Sequence, residues 1–235
     1  MIEISQPHRP FTLTPFIFLV ILGIFLNSLY GCASGQTVQK PAEPIQMGHI
    51  LVLPFQNLHQ TCGIDINFRC PFVATVYEIN PVKEGADQFL TDMLFSRLQG
   101  RKDLSLIDPD QAMGARSAVL ATRAEELPEK ELILETARTA GADTVVVGRV
   151  FNYRERVGTA YSVETPASVA FDILLIRVSD GRLLWVGRYN ETQKSLFENL
   201  FRLDKFIKRG VRWLTADELA ESGMEEILES FPDSY

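Results

Sequence analysis

The sequence predicts an α/β protein: a single mixed β-sheet flanked by helices, with a C-terminal helical extension. Three observations carry that class. Residues 50–53 (ILVL) and 144–150 (TVVVGRV) are continuous apolar runs of the kind expected for strands buried on both faces. Between them, residues 83–99 place Ala86, Phe89, Leu90, Met93, Leu94 and Leu98 on one helical stripe. After them, residues 168–178 and 183–189 are joined by Ser179-Asp180-Gly181, and an Asp-Gly pair between two apolar runs is a strong short-range hairpin signal. The order is strand, helix, strand, helices, then a three-strand meander, which calls for one mixed sheet with helices packed against it.

The elements follow in order. Residues 1–31 open with Glu3 and Arg9, and an apolar run fills 16–26 (FIFLVILGIFL). As a helix that run rises about 16 Å, against the roughly 30 Å of a bilayer core. So short a run suits the apolar region of a secretory signal. The competing reading is an uncleaved anchor, if 11–30 is counted whole. Residues 32–47 are small and polar with two prolines, and they read as a flexible tether. The domain spans 48–191. Pro54 and Asn57 end its first strand, and 73–79 predicts a weaker second one. Gly100 is a helix stop, and 104–107 is a short strand. Asp108 as N-cap, Pro109 at N1 and Gln111 at N3 start a further helix. Another runs from Pro128 to Gly141.

Past Glu191 the pattern changes, and 192–235 reads as a helical extension. Between Lys194 and Trp213 lie six bases (Lys194, Arg202, Lys205, Lys208, Arg209, Arg212) and two acids (Glu198, Asp204), in a chain of net charge −7. Gly210 breaks this helix. Thr215 and Glu218 form a capping box. The helix behind it aligns Leu219, Ala220, Gly223, Met224, Ile227, Leu228 and Phe231 on one stripe.

Composition sets further bounds. A pI near 5.1 argues against nucleic-acid binding. A hydrophobic content of 46% excludes wholesale disorder. Leu29-Tyr30-Gly31-Cys32, placed directly after the apolar run, resembles the lipobox of bacterial lipoproteins. That resemblance implies cleavage after Gly31 and acylation at Cys32, so that several chains hold the protein on a membrane. Ala33 leans towards the outer membrane, with the folded part facing the periplasm. For an exported chain, Cys62 and Cys70 are expected to pair, with two free thiols as the alternative. Closing so small a loop is worth about 2.5 kcal/mol in the chain-entropy model. Their C-x7-C spacing fits neither a redox motif nor a zinc site.

The mature chain carries two histidines, His49 and His59, and shows no H-E-x-x-H, nucleophile elbow, phosphate loop or dinucleotide fingerprint. No metal or cofactor is implied, and a binding role is expected in place of an enzyme. Asp108 and Asp110 have the types for acid–base work, but capping accounts for both.

Three stretches together, ILVLPFQN at 50–57, TAGADTVVVGRV at 139–150 and VAFDILLIRVSDGRLLWVGR at 169–188, resemble the α/β domain of the curli-secretion channel lipoproteins (CsgG-like). They are also similar to lipoproteins that activate penicillin-binding proteins and to the TolB N-terminal domain. The resemblance covers about 48–190 and rests on turn and core positions, which mark a fold more than an activity. It implies a lipid-anchored adaptor that binds a protein partner of the cell envelope, in peptidoglycan synthesis or secretion. The alternative is a homo-oligomeric ring or pore-forming export subunit. Lys205, Lys208, Arg209, Arg212 and Trp213 form the candidate partner-binding surface. The plainer reading is that this helix packs on the sheet with its bases in water.

Overall fold

The computed structural model of the chain describes residues 45–63, 68–72, 76–123, 127–193 and 212–235. Cys32, Lys205, Lys208 and Arg209 lie outside them, as do residues 194–211 of the helix expected over 194–213.

β1 (His49–Val52) leads into a two-residue β2 (Gln56–Asn57) and a short helix α1 (Leu58–Cys62), which Asn57 caps by accepting the Gln60 N–H at 3.2 Å. Among the described residues β3 (Phe68–Arg69) and β4 (Val76–Tyr77) pair with each other off the main sheet; of the strand expected at 73–79, residues 73–75 lie outside the described residues. α2 (Ala86–Gln99), β5 (Ser105–Leu106), α3 (Pro109–Arg123) and α4 (Glu129–Thr139) follow. β6 (Thr144–Arg154), a small hairpin of β7 (Val157–Gly158) and β8 (Val163–Thr165), β9 (Ser168–Arg177), β10 (Leu183–Thr192) and α5 (Ala216–Leu228) complete the order.

The main sheet has six strands in the order β10-β9-β6-β1-β5, with β2 alongside β6 beyond β1. β1 runs parallel to both β5 and β6, whereas β6, β9 and β10 form the antiparallel meander the Asp-Gly turn demands. Gly181 supplies the left-handed position of that turn, at φ 66°. The sheet is mixed and carries helices on both faces. Leu90, Leu94 and Leu98 of α2 and Leu219, Met224 and Ile227 of α5 cover Ile50, Val146, Phe171 and Tyr189 on one side. Ala112, Ile133, Leu134 and Ala137 of α3 and α4 cover Leu51, Val145, Val147 and Leu174 on the other. Residues alternate between the two clusters along each strand, as the two-residue period of a pleat requires. Between β6 and β9, the strands have two and three residues, against the 9–11 of a membrane-spanning β-strand.

Local departures have physical causes. α2 begins at Ala86, not Lys83, because Gly85 turns left-handed at φ 79°. Gly100 ends it as expected, in a right-handed conformation at φ −67°. Asp108 caps α3 by accepting the Asp110 N–H at 2.9 Å. Gln111, expected to close a capping box there, instead donates to the Ala140 carbonyl at 3.1 Å and ties α3 to the end of α4. At α5 the box is complete: Thr215 Oγ1 accepts the Glu218 N–H at 3.2 Å, and Glu218 accepts the Thr215 N–H at 2.9 Å.

The residues after α5 are pinned by one guanidinium. Arg101 donates to Asp103 at 2.5 Å, to Asp233 at 2.9 Å and to the Pro232 carbonyl at 3.1 Å, while Asp103 accepts the Ser234 N–H at 3.1 Å. The Arg101 hydrogen bond holds the Asp103 carboxyl down at about 2. A carboxyl depressed in the folded state stabilises above its ordinary value near 3.9 and loses that contribution as pH falls towards the folded value. The 231–235 segment is therefore expected to loosen between about pH 4 and pH 2. The Ser234 amide resonance should report it, moving with a midpoint near 2 in the wild type and showing no such step in Asp103→Asn.

Candidate functional site

Two charges interrupt the apolar runs of the central strands: Arg149 in β6 and Asp172 in β9. The register sets Arg149 opposite Asp172, and Asp172 opposite Arg188 of β10. Arg149 Nε and Nη2 donate to the two Asp172 oxygens at 3.1 and 2.9 Å, a bidentate fork with side chains only 1% and 0% exposed.

Beyond this pair, towards the Arg154 end of β6, the same face of the sheet turns polar. Asn152 Nδ2 donates to Ser168 Oγ at 2.7 Å, and Ser168 Oγ lies 2.6 Å from Thr192 Oγ1, which links three strands by side chains alone. Glu78, Asn80, Arg154, Arg188 and Asn190 frame a shallow cavity of about 390 Å³ above them. The segment carrying Asn80 is held there by main-chain bonds: Asn80 N–H to Phe151 O at 2.8 Å and Tyr153 N–H to Pro81 O at 3.1 Å. The result is a shelf of amides, hydroxyls and guanidinium groups on a rigid three-strand support, with Arg154, Asn190 and Thr192 exposed. Its chemistry is recognition by hydrogen bonds. Among the described residues, no three His, Cys, Asp or Glu side chains gather as a metal-binding set.

The residues singled out from the sequence fall elsewhere. Arg212 donates to both Glu218 oxygens, at 3.1 and 2.6 Å, and so is spent on the cap of α5. That hydrogen bond, more than any other influence, holds the Glu218 carboxyl below its usual range. Trp213 is half-buried; its N–H donates to Ala160 O at 2.8 Å and its carbonyl accepts from Arg156. Close by, Tyr153 O–H donates to Asp217 at 2.7 Å, and Lys83 lies 3.3 Å from the same carboxylate. Burial first, and then Asp217, push the Tyr153 phenol above its ordinary range. These groups lock α5 onto β6, with Arg212 engaged in the cap.

Cys62 and Cys70 are not paired in the structure; both are free thiols. Cys62 ends α1 half-buried, whereas Cys70 is buried in the core on the α3–α4 side, with its sulfur taking the Phe72 N–H at 3.4 Å. Burial, followed by Glu129, pushes the Cys62 thiol up, away from the reactive thiolate.

Sequence reasoning missed the shelf. A lone charge at the middle of each apolar strand, in VVVGRVF and AFDILL, was the signal for it. A charge there has to find a partner across the sheet.

No protein-family model matches this chain, and no curated protein sequence does. Solved structures with a similar chain path include the PelC dodecamer from Paraburkholderia phytofirmans, 17% identical, covering 86% of this chain and 97% of that one at a TM-score of 0.44. The LpoB C-terminal domain from Escherichia coli is 16% identical, covering 65% and 88% at 0.40. Lipoprotein GNA1162 from Neisseria meningitidis is 14% identical, covering 70% and 96% at 0.39.

Proposed function

We propose that this chain is a lipid-anchored adaptor of the bacterial cell envelope, acylated at Cys32, that presents the polar shelf to a protein partner in the periplasm. One observation carries the reading: the chain enters the domain at the opposite end of the sheet from the shelf. β1 starts at His49 beside Thr144, whereas the shelf surrounds Arg154, at the far end of the 11-residue β6. Strand rise puts about 33 Å between those ends. A domain leashed at one end and polar at the other holds its binding face away from the bilayer, where a partner can reach it. Arginine and planar amides on a rigid support suit such an interface.

The test uses a photo-crosslinking residue at Asn190, with one at the exposed Met113 of α3 as control. Position 190 is expected to give one defined envelope-protein adduct that position 113 does not. Cys32→Ser should move the protein from the membrane to the soluble fraction and abolish that adduct. The same adducts from both positions, or none from 190, would remove the shelf from the account.

A further inference from the structure

A second cavity, of about 980 Å³, opens at the end of the sheet where the chain enters, and Ile45 and Gln46 form part of its wall. Three guanidinium groups from three elements line it: Arg138 in the last turn of α4, Arg177 at the end of β9, and Arg182 in the turn before β10. Leu183 and Leu184 add apolar surface.

Three acids lie nearby. Asp143 lines the cleft and accepts the His49 N–H at 2.8 Å. Glu135 lies 3.2 Å from Arg138, and Asp180 lies 3.4 Å from Arg177, in pairs open to solvent on both sides. Exposed pairs of this kind are weak, and each guanidinium has five N–H donors to share. The Arg182 side chain is exposed and has no carboxylate partner among the described residues, while its backbone N–H donates to Asp180 at 3.1 Å.

Position says what such a cleft meets. Twelve residues separate Cys32 from Ile45, so the leash, thirteen Cα steps long, spans at most about 45 Å when fully extended. No part of the described domain is on a shorter leash than the wall of this cleft. We propose that the cleft holds the phosphate of an anionic phospholipid headgroup, taken from the leaflet that carries the acyl chains of Cys32. The inference rests on the anchor reading above. Guanidinium forks match phosphate oxygens in pairs, and the two leucines suit the glycerol and upper acyl region.

Native mass spectrometry of the full chain from detergent micelles tests it, with phosphatidylglycerol, phosphatidylcholine of the same acyl chains, and inorganic phosphate as separate probes. The protein is expected to retain phosphatidylglycerol over phosphatidylcholine. Arg177→Gln/Arg182→Gln should weaken that retention at least about tenfold, and Arg182→Gln alone, at a side chain with no ion-pair partner, should show part of the loss. Equal retention of both lipids, or undiminished retention in the folded double variant, overturns the proposal. Inorganic phosphate held as tightly as the lipid overturns the lipid as its source. The intact mass also reports Cys32. A bare thiol with selective lipid retained sinks the anchor alone, and an acylated chain without selectivity sinks the cleft alone.

Discussion

Asp172→Ala is expected to cost the domain about 3–5 kcal/mol in urea denaturation. The reason is what it leaves behind. Arg149 is 1% exposed and forks onto Asp172 with two side-chain bonds, so removing the carboxylate takes the facing negative charge from a guanidinium held in the core. The pair itself is worth much less than that loss, because desolvating two ions consumes most of their mutual attraction. The double variant Arg149→Met/Asp172→Leu should therefore recover most of the stability, and with the single variants Arg149→Met and Asp172→Leu it closes a double-mutant cycle. A loss under about 1 kcal/mol for Asp172→Ala would mean that water reaches the guanidinium and that the pair is not the sealed floor of the shelf.

The second large effect lies on the opposite face of the sheet. Gly223 sits inside α5, where helix propensity alone favours alanine by about 1 kcal/mol. The added methyl would stand 2.5 Å from the Tyr189 ring, and Tyr189 is fully buried against Phe171, with ring centroids 5.5 Å apart. That ring has nowhere to go, so overpacking outweighs propensity. Gly223→Ala is expected to destabilise by about 1–3 kcal/mol in thermal or urea unfolding. A more stable variant would show that the helix rides higher on the sheet than the contact implies.

The architecture was legible where burial and turn chemistry act locally. The runs at 50–53 and 144–150, the Asp180-Gly181 turn, the Thr215–Glu218 box and the stripe behind it each specify an element without help from distant residues. The site was not legible, because it exists only through register. Nothing in the order of residues says that Ser168 faces Thr192 and meets Asn152 on the diagonal, since their contact depends on how β6, β9 and β10 align. The bulge between Val150 and Asn152 shifts that alignment and is invisible in the pattern. The cysteines erred for a related reason. Spacing and compartment speak for pairing, but Cys70 is packed into a core whose location only the fold decides. Of the basic stretch, Lys205, Lys208 and Arg209 lie outside the described residues, and the pairing of Arg212 with Glu218, a cap six residues on, was not visible in the count of charges.

The seat of α5 bears on how the molecule is made. Ile45 bridges to Ser234, and Met224, Ile227 and Phe231 complete the packing around Trp185 and Tyr189. A ribosome delivers residue 45 long before residue 231. Throughout synthesis, then, the meander waits with one greasy side unroofed, and no partial length of chain can finish the job. Such a polypeptide keeps apolar surface uncovered until its final helix arrives, the state in which chains are most prone to associate wrongly.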